Sequence, residues 1–154
     1  MLHNNINNVT SSKDLSIHDK PVLVMFEQMK CNSCDELHLD ISKRKETVEQ
    51  LSRFDVIVLD MWSEAMITTP DGNETKIRDW VKKLDVKYAP SLLFFNDKGE
   101  EVFRVDAYLK AFHIQSVMDY VASGAYKNQS NFQRYIDERA DRLREQGIEV
   151  DLMK

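Results

Sequence analysis

The sequence predicts an α/β fold in three layers: a mixed central sheet, helices on both faces, and an extra helix at the C-terminus. Three observations carry this expectation. Short continuous apolar runs alternate with amphipathic stretches in the order β-α-β-α-β-β-α. The two cysteines of the chain sit together as Cys31-Asn32-Ser33-Cys34, at the junction between the first apolar run and the first helical stretch. The last two runs are joined through Asp97-Lys98-Gly99, a compact hairpin turn, so a series of strand–helix units closes in an antiparallel pair.

Residues 1–18 read as a polar, flexible leader, rich in Asn and without periodicity. The run from Pro21 to Glu27 suits a strand covered on both faces. A helix follows from about Ser33 with Leu37 and Ile41 inward. A second helical stretch, Lys43 to Arg53, turns Val48 and Leu51 to the core, either as a continuation of the first or as a separate helix. Asp55 to Met61 is the next central strand. Thr68 to Asn73 carries turn chemistry and predicts a short hairpin or surface excursion. Ile77, Trp80, Val81 and Leu84 share one helical face. Ser91 to Asn96 and Glu101 to Asp106 are the closing strands. Phe112 to Ser123 is helical, with Gly124 as its stop. A final helix opens on a capping-box pattern, Ser130 with Gln133, and presents Phe132, Ile136, Ala140 and Leu143 on one side. The expected organisation is a leader over 1–18, an α/β domain over 19–124, and a helical extension over 125–154 packed on that domain.

Composition narrows the class of function. With 154 residues, 31% of them charged, and a net charge of −5, the chain has no basic block, which argues against nucleic acid as a partner. No apolar run approaches the roughly 18 residues of a membrane span, so no direct membrane insertion is expected. The N-terminal stretch lacks the apolar centre of a secretory signal; either the protein is cytoplasmic or an export signal is absent from this sequence. Two cysteines are too few for a structural disulfide framework, which leaves catalysis or metal binding.

A strand that delivers a C-x-x-C pair to a helix start favours thiol–disulfide chemistry. The positive end of a helix stabilises a thiolate at Cys31, and Cys34 lies within reach for an intramolecular disulfide. Ser33 has a backbone N–H that a proline would lack, and the Cys31 thiolate is expected to accept it. The competing reading is a soft-metal site made of Cys31, Cys34 and His38, which still needs a fourth ligand for a closed zinc centre. His3, His18 and His113 have no spacing that marks one of them as that ligand.

Over residues 20 to 124 these features resemble a thioredoxin fold. The resemblance rests on the strand into Cys31-x-x-Cys34, on Val86-Lys87-Tyr88-Ala89-Pro90-Ser91 before the strand Leu92-Leu93-Phe94-Phe95, and on the hairpin at Asn96 to Glu100. It implies a thioredoxin-like three-layer sandwich, a cis bond before Pro90, and a redox-active disulfide in place of any cofactor. Cys31 would be the nucleophile and Cys34 the resolving cysteine. Ala89 and Pro90 would form the floor beneath them, with Ala89 offering its backbone to a partner strand. Lys30 either lowers the Cys31 pKa by its charge or is simply solvated; Asn32 and Ser33 replace the usual Gly-Pro. A buried acid six residues before the first cysteine is replaced by Met25, and Glu27 either relays protons for Cys34 or is a solvated strand end.

A narrower resemblance, to the SoxW-type thioredoxins, rests on Phe26-Glu27-Gln28, Leu59 to Ser63, and the tail from Phe132 to Gly147. It implies a periplasmic reductase of specific protein disulfides, linked to sulfur oxidation or cytochrome maturation and supplied by a membrane thiol-electron transporter. A disulfide oxidase or isomerase, and a soft-metal delivery protein, are the alternatives.

Overall fold

The computed structural model of the chain describes residues 14–16, 18–106 and 109–150. Its elements follow in the order β1 (Val22–Glu27), α1 (Asn32–Lys43), α2 (Lys45–Leu51), β2 (Asp55–Asp60), β3 (Met66–Thr68), β4 (Glu74–Lys76), α3 (Ile77–Lys83), β5 (Ser91–Phe95), β6 (Glu101–Val105), α4 (Ala111–Ala122) and α5 (Phe132–Glu145). The main sheet has the strand order β2-β1-β5-β6. β1 runs parallel to β2, with Leu23 opposite Val56 and Glu27 opposite Asp60, and antiparallel to β5, with Val24 opposite Leu93. β5 and β6 form the antiparallel hairpin expected from Asp97-Lys98-Gly99.

The central place of β1 explains its unbroken apolar run: both edges are paired and both faces are covered. Leu23 and Met25 point into a core with Leu37 and Ile41 of α1, Leu51 of α2, and Ile114, Val117 and Met118 of α4. Val22, Val24 and Phe26 point the other way, against Ile77, Trp80 and Val81 of α3. Helices therefore lie on both faces of a mixed sheet, the thioredoxin-like arrangement that the resemblance implies. Burying a side chain such as Phe26 completely is worth about 1.5–3 kcal/mol. Its truncation to Ala would also open a cavity, for a total cost of about 3–5 kcal/mol.

Several expectations are sharpened or corrected. The helical stretch after the cysteines is two helices, broken at Arg44, whose backbone is extended (φ −113°, ψ 113°). Thr47 takes the buried position expected of Val48, and its hydroxyl accepts a hydrogen bond from Gln115 Nε2 at 2.9 Å. The turn at Thr68 to Asn73 closes the separate β3–β4 hairpin. Gly99 is required where the two hairpins meet, because its φ is +79° and a Cβ there would lie 2.5 Å from the Pro70 carbonyl oxygen. Most of the leader lies outside the described residues. Its end is docked rather than free: Asp14 bridges Thr68, the Leu15 N–H donates to the Thr68 carbonyl at 2.8 Å, and the Leu15 side chain joins the α3-side core.

The cap of α5 is Asn131, not Ser130; its side-chain oxygen accepts the Arg134 N–H at 3.1 Å. Asn caps a helix as well as Ser does, so the register follows the better-placed side chain. α5 packs on α4, burying Ile136 and Ala140 against Phe112, and its Phe132 ring meets Phe103 of β6. Polar anchors reinforce the contact. Asp119 of α4 accepts from the Tyr135 hydroxyl and from Arg53 Nη1 at 2.7 Å, and lies 3.7 Å from Arg139 Nε. Arg139 also donates to Ser116 Oγ at 3.0 Å and covers the Phe112 ring. Burial would raise the Asp119 pKa, but the hydrogen bonds from Tyr135 and Arg53 and the Arg139 charge hold it below the usual carboxylate range.

Burial, and then the Asp119 carboxylate, push the Tyr135 phenol up to about 12. The stability that its neutral form contributes is complete below about pH 10, where an unfolded tyrosine ionises, and is lost as pH rises through about 12. In an ultraviolet titration one phenol should therefore ionise late, and Tyr135→Phe should remove that late step; a late step that survives the substitution would locate it elsewhere, for example at Tyr120, which burial also raises.

Candidate active site

The end of β1 and the start of α1 are separated by a tight loop, Gln28 to Cys31. Lys30 in that loop adopts a left-handed backbone (φ 55°), a conformation that costs a non-glycine residue about 1 kcal/mol or more. This turn sets Cys31 at the N-cap of α1, where the first N–H groups of the helix have no intrahelical acceptor. The Cys31 sulfur fills that role: Sγ accepts the Cys34 N–H at 3.1 Å.

The same two residues are joined covalently, with an S–S distance of 2.04 Å and a Cα–Cα distance of 5.2 Å. Cys31 retains 7% exposure and Cys34 only 2%, so the outer sulfur is the one a partner would meet. The amide at the sulfur is that of Cys34, not of Ser33 as expected. An N-cap side chain accepts from the second or third helical N–H, and here the third is the one aligned. Asn32 and Ser33 form the exposed first turn between the cysteines.

The second wall comes from the loop before β5. The Ala89–Pro90 bond is cis. Pro90 is buried, Ala89 half-buried, and Ser91 is fully buried with its hydroxyl donating to the Tyr88 carbonyl at 2.5 Å. Phe26 pairs with Ser91, so the next step in register sets Pro90 beside Glu27 at the strand ends that lead to the cysteines. The Ala89 backbone N–H and C=O take part in none of the hydrogen bonds among the described residues, which leaves them available to an added strand.

Glu27 is not a solvated strand end. It sits on the α1 side of the sheet and meets His38 of α1, Oε2 to Nε2 at 2.6 Å, both side chains being largely buried. Lys30 is exposed. Met25 is completely buried in the α1-side core. The alternative metal set of Cys31, Cys34 and His38 is not assembled: the cysteines are bonded to each other, and His38 is turned to Glu27. Among the described residues no group of three or more His, Cys, Asp and Glu side chains is placed to hold a metal ion.

Three exposed apolar residues lie in the loops at this end of the sheet: Met29 at 83%, Trp62 at 59% and Tyr88 at 63% exposure. Trp62 is tied down by its indole N–H, which donates to Gln28 Oε1 at 3.1 Å. No motif marks these three side chains as part of the site. Their apolar character in loops next to Cys31 and Pro90 was the available signal. The Glu27–His38 contact joins residues 11 apart across a strand–helix junction, and no local pattern announces it.

Comparison with known proteins agrees with this architecture. A model of the family described as a thioredoxin-like domain matches residues 10–122. A thioredoxin-fold protein from Helicobacter pylori superposes with a TM-score of 0.79 at 15% identity, over 91% of this chain and 94% of that one. A thioredoxin from Thermus thermophilus superposes with a TM-score of 0.55 at 20% identity, over 73% of this chain and 82% of that one. None of the curated proteins matches the sequence significantly.

The geometry makes the two sulfurs unequal. After reduction, brief alkylation with iodoacetamide at neutral pH should label Cys31 at least about tenfold faster than Cys34, read by peptide mass spectrometry. Equal labelling, or faster labelling of Cys34, would contradict this assignment of the outer and inner sulfurs.

Proposed function

The chain belongs to the thioredoxin-like domain family, and from that premise we propose that it is a thiol–disulfide oxidoreductase that reduces specific exported protein partners through Cys31 and Cys34. Thioredoxin-fold proteins with a C-x-x-C pair are generally thiol oxidoreductases. The observation that carries the proposal is the Cys31 sulfur at the N-cap of α1, bonded to Cys34 and accepting its amide N–H.

In the reduced protein that amide and the helix dipole stabilise negative charge on Cys31 Sγ. The thiolate attacks one sulfur of a partner disulfide; the partner's S–S bond breaks, and a mixed disulfide forms while the partner's other sulfur leaves as a thiolate. Cys34 then attacks Cys31 Sγ, releasing the second partner thiol and restoring the Cys31–Cys34 disulfide. The electron pair passes from the dithiol to the partner, and the redox group is the cysteine pair itself. A partner segment would pair with the free Ala89 backbone beside Pro90, while Met29, Trp62 and Tyr88 offer it apolar contact. The exposed Lys30 and the exposed Asn32-Ser33 turn border the approach to Cys31.

The direction of electron flow and the compartment extend this reading. Phe26-Glu27-Gln28, Leu59 to Ser63 and the added C-terminal helix resemble the SoxW-type thioredoxins, which supports a periplasmic reductase re-reduced by a membrane thiol-electron transporter. Equilibration of the Cys31–Cys34 couple with glutathione, followed by thiol trapping, tests the direction. A reduction potential near or below about −250 mV is expected. A value between about −180 and −120 mV would instead make the protein an oxidase or isomerase of disulfides.

A further inference from the structure

Resolution of a mixed disulfide requires Cys34 to lose its proton, yet Cys34 is 2% exposed and poorly placed to give it directly to water. Met25, fully buried on the same side of the sheet, has no group that accepts one. A histidine stands one turn along the helix. His38 follows Cys34 by four residues on α1, so the two share a face. Helical side chains lean toward the N-terminus, which lays the His38 ring toward the turn that carries Cys34.

The two ring nitrogens are in different situations. Nε2 lies 2.6 Å from Glu27 Oε2. Nδ1 is buried and has no hydrogen-bond partner among the described residues. A carboxylate at Nε2 favours the tautomer with its proton there, and the neutral ring then carries its lone pair on Nδ1. In the disulfide state Cys34 has no S–H to offer that lone pair; in the mixed disulfide it has one.

From this geometry we propose that His38, oriented by Glu27, is the general base that takes the Cys34 proton when Cys34 resolves the mixed disulfide. The inference rests on the exchange reading of the cysteine pair. In the step, the Cys34 S–H proton passes to His38 Nδ1 as Cys34 Sγ attacks Cys31 Sγ. The Cys31–partner S–S bond breaks, the Cys31–Cys34 bond forms, and the partner sulfur leaves with the electron pair as a thiolate. The imidazolium then returns its proton to that thiolate or to solvent.

Stopped-flow reaction of the reduced protein with an aromatic disulfide that releases a coloured thiolate separates the two steps. The first equivalent reports attack by Cys31, and the second reports resolution by Cys34. His38→Gln should leave the first rate within about twofold of wild type and slow the second about 100-fold. Glu27→Gln should slow the second phase less, since the base remains. Imidazole added to His38→Ala should restore the second phase in proportion to its concentration, a response that a purely structural role does not give. Equal second phases in wild type and His38→Gln, or no response to imidazole, would overturn the proposal. Absence of the first phase in wild type would instead overturn the exchange reading itself, and this proposal with it.

Discussion

The hydrogen bond from the Cys34 N–H to Cys31 Sγ, at the opening turn of α1, is the contact on which the site depends. It exists because a sulfur occupies an N-cap. β1 is buried on both faces and paired on both edges, so its C-terminal end is held firmly where the helix begins. The left-handed Lys30 then turns the chain sharply enough for Cys31 to cap rather than join the helix. Local strain at one residue is thus supported by a rigid strand, and it leaves the outer sulfur at the positive end of α1.

The surroundings of that contact divide the work between the two cysteines. Cys31 lies at the end of the sheet whose loops carry Met29, Trp62, Tyr88 and Ala89, whose backbone makes no hydrogen bond among the described residues. Cys34 faces inward, on the helical side shared with Leu37, Ile41 and His38. Where the thioredoxin resemblance implies a buried acid, this chain has Met25, in an apolar cluster with Leu37 and Val56. Its carboxylate stands two residues later and is coupled to an imidazole. The C-terminal helix is held to α4 through Ile136, Ala140 and the Asp119 cluster. In that cluster the Asp119 and Arg139 side chains are largely buried, so each charge depends on its partners.

Much of the architecture was legible in residue order. The apolar runs at Val22 to Phe26 and Leu92 to Phe95 name the two inner strands, β1 and β5, while the run at Val56 to Leu59, expected to be central, is the edge strand β2; its continuity reflects cover on both faces rather than a central place. Cys31-x-x-Cys34 was legible as a local motif, and Ala89-Pro90 only through the thioredoxin resemblance. Features that depend on tertiary partners were not. Thr47 is buried because Gln115 of α4 reaches its hydroxyl, which the helical pattern of α2 does not reveal. Leu15 docks because the β3 edge offers the Thr68 carbonyl. The choice of Asn131 over Ser130 as cap turns on one residue of register, the least determined quantity in a pattern of propensities. Glu27 read as a proton relay or a solvated strand end and His38 as a candidate soft-metal ligand; only the packing of α1 over the end of β1 makes them a pair.

The central claim is that Cys31 attacks a partner disulfide and Cys34 completes the exchange. Insulin incubated with the reduced Cys34→Ser protein tests it most directly, read on a non-reducing gel and by peptide mapping. A stable covalent adduct through Cys31 is predicted, one that neither wild type nor Cys31→Ser accumulates. An adduct formed only through Cys34, or none in any variant, would contradict the account.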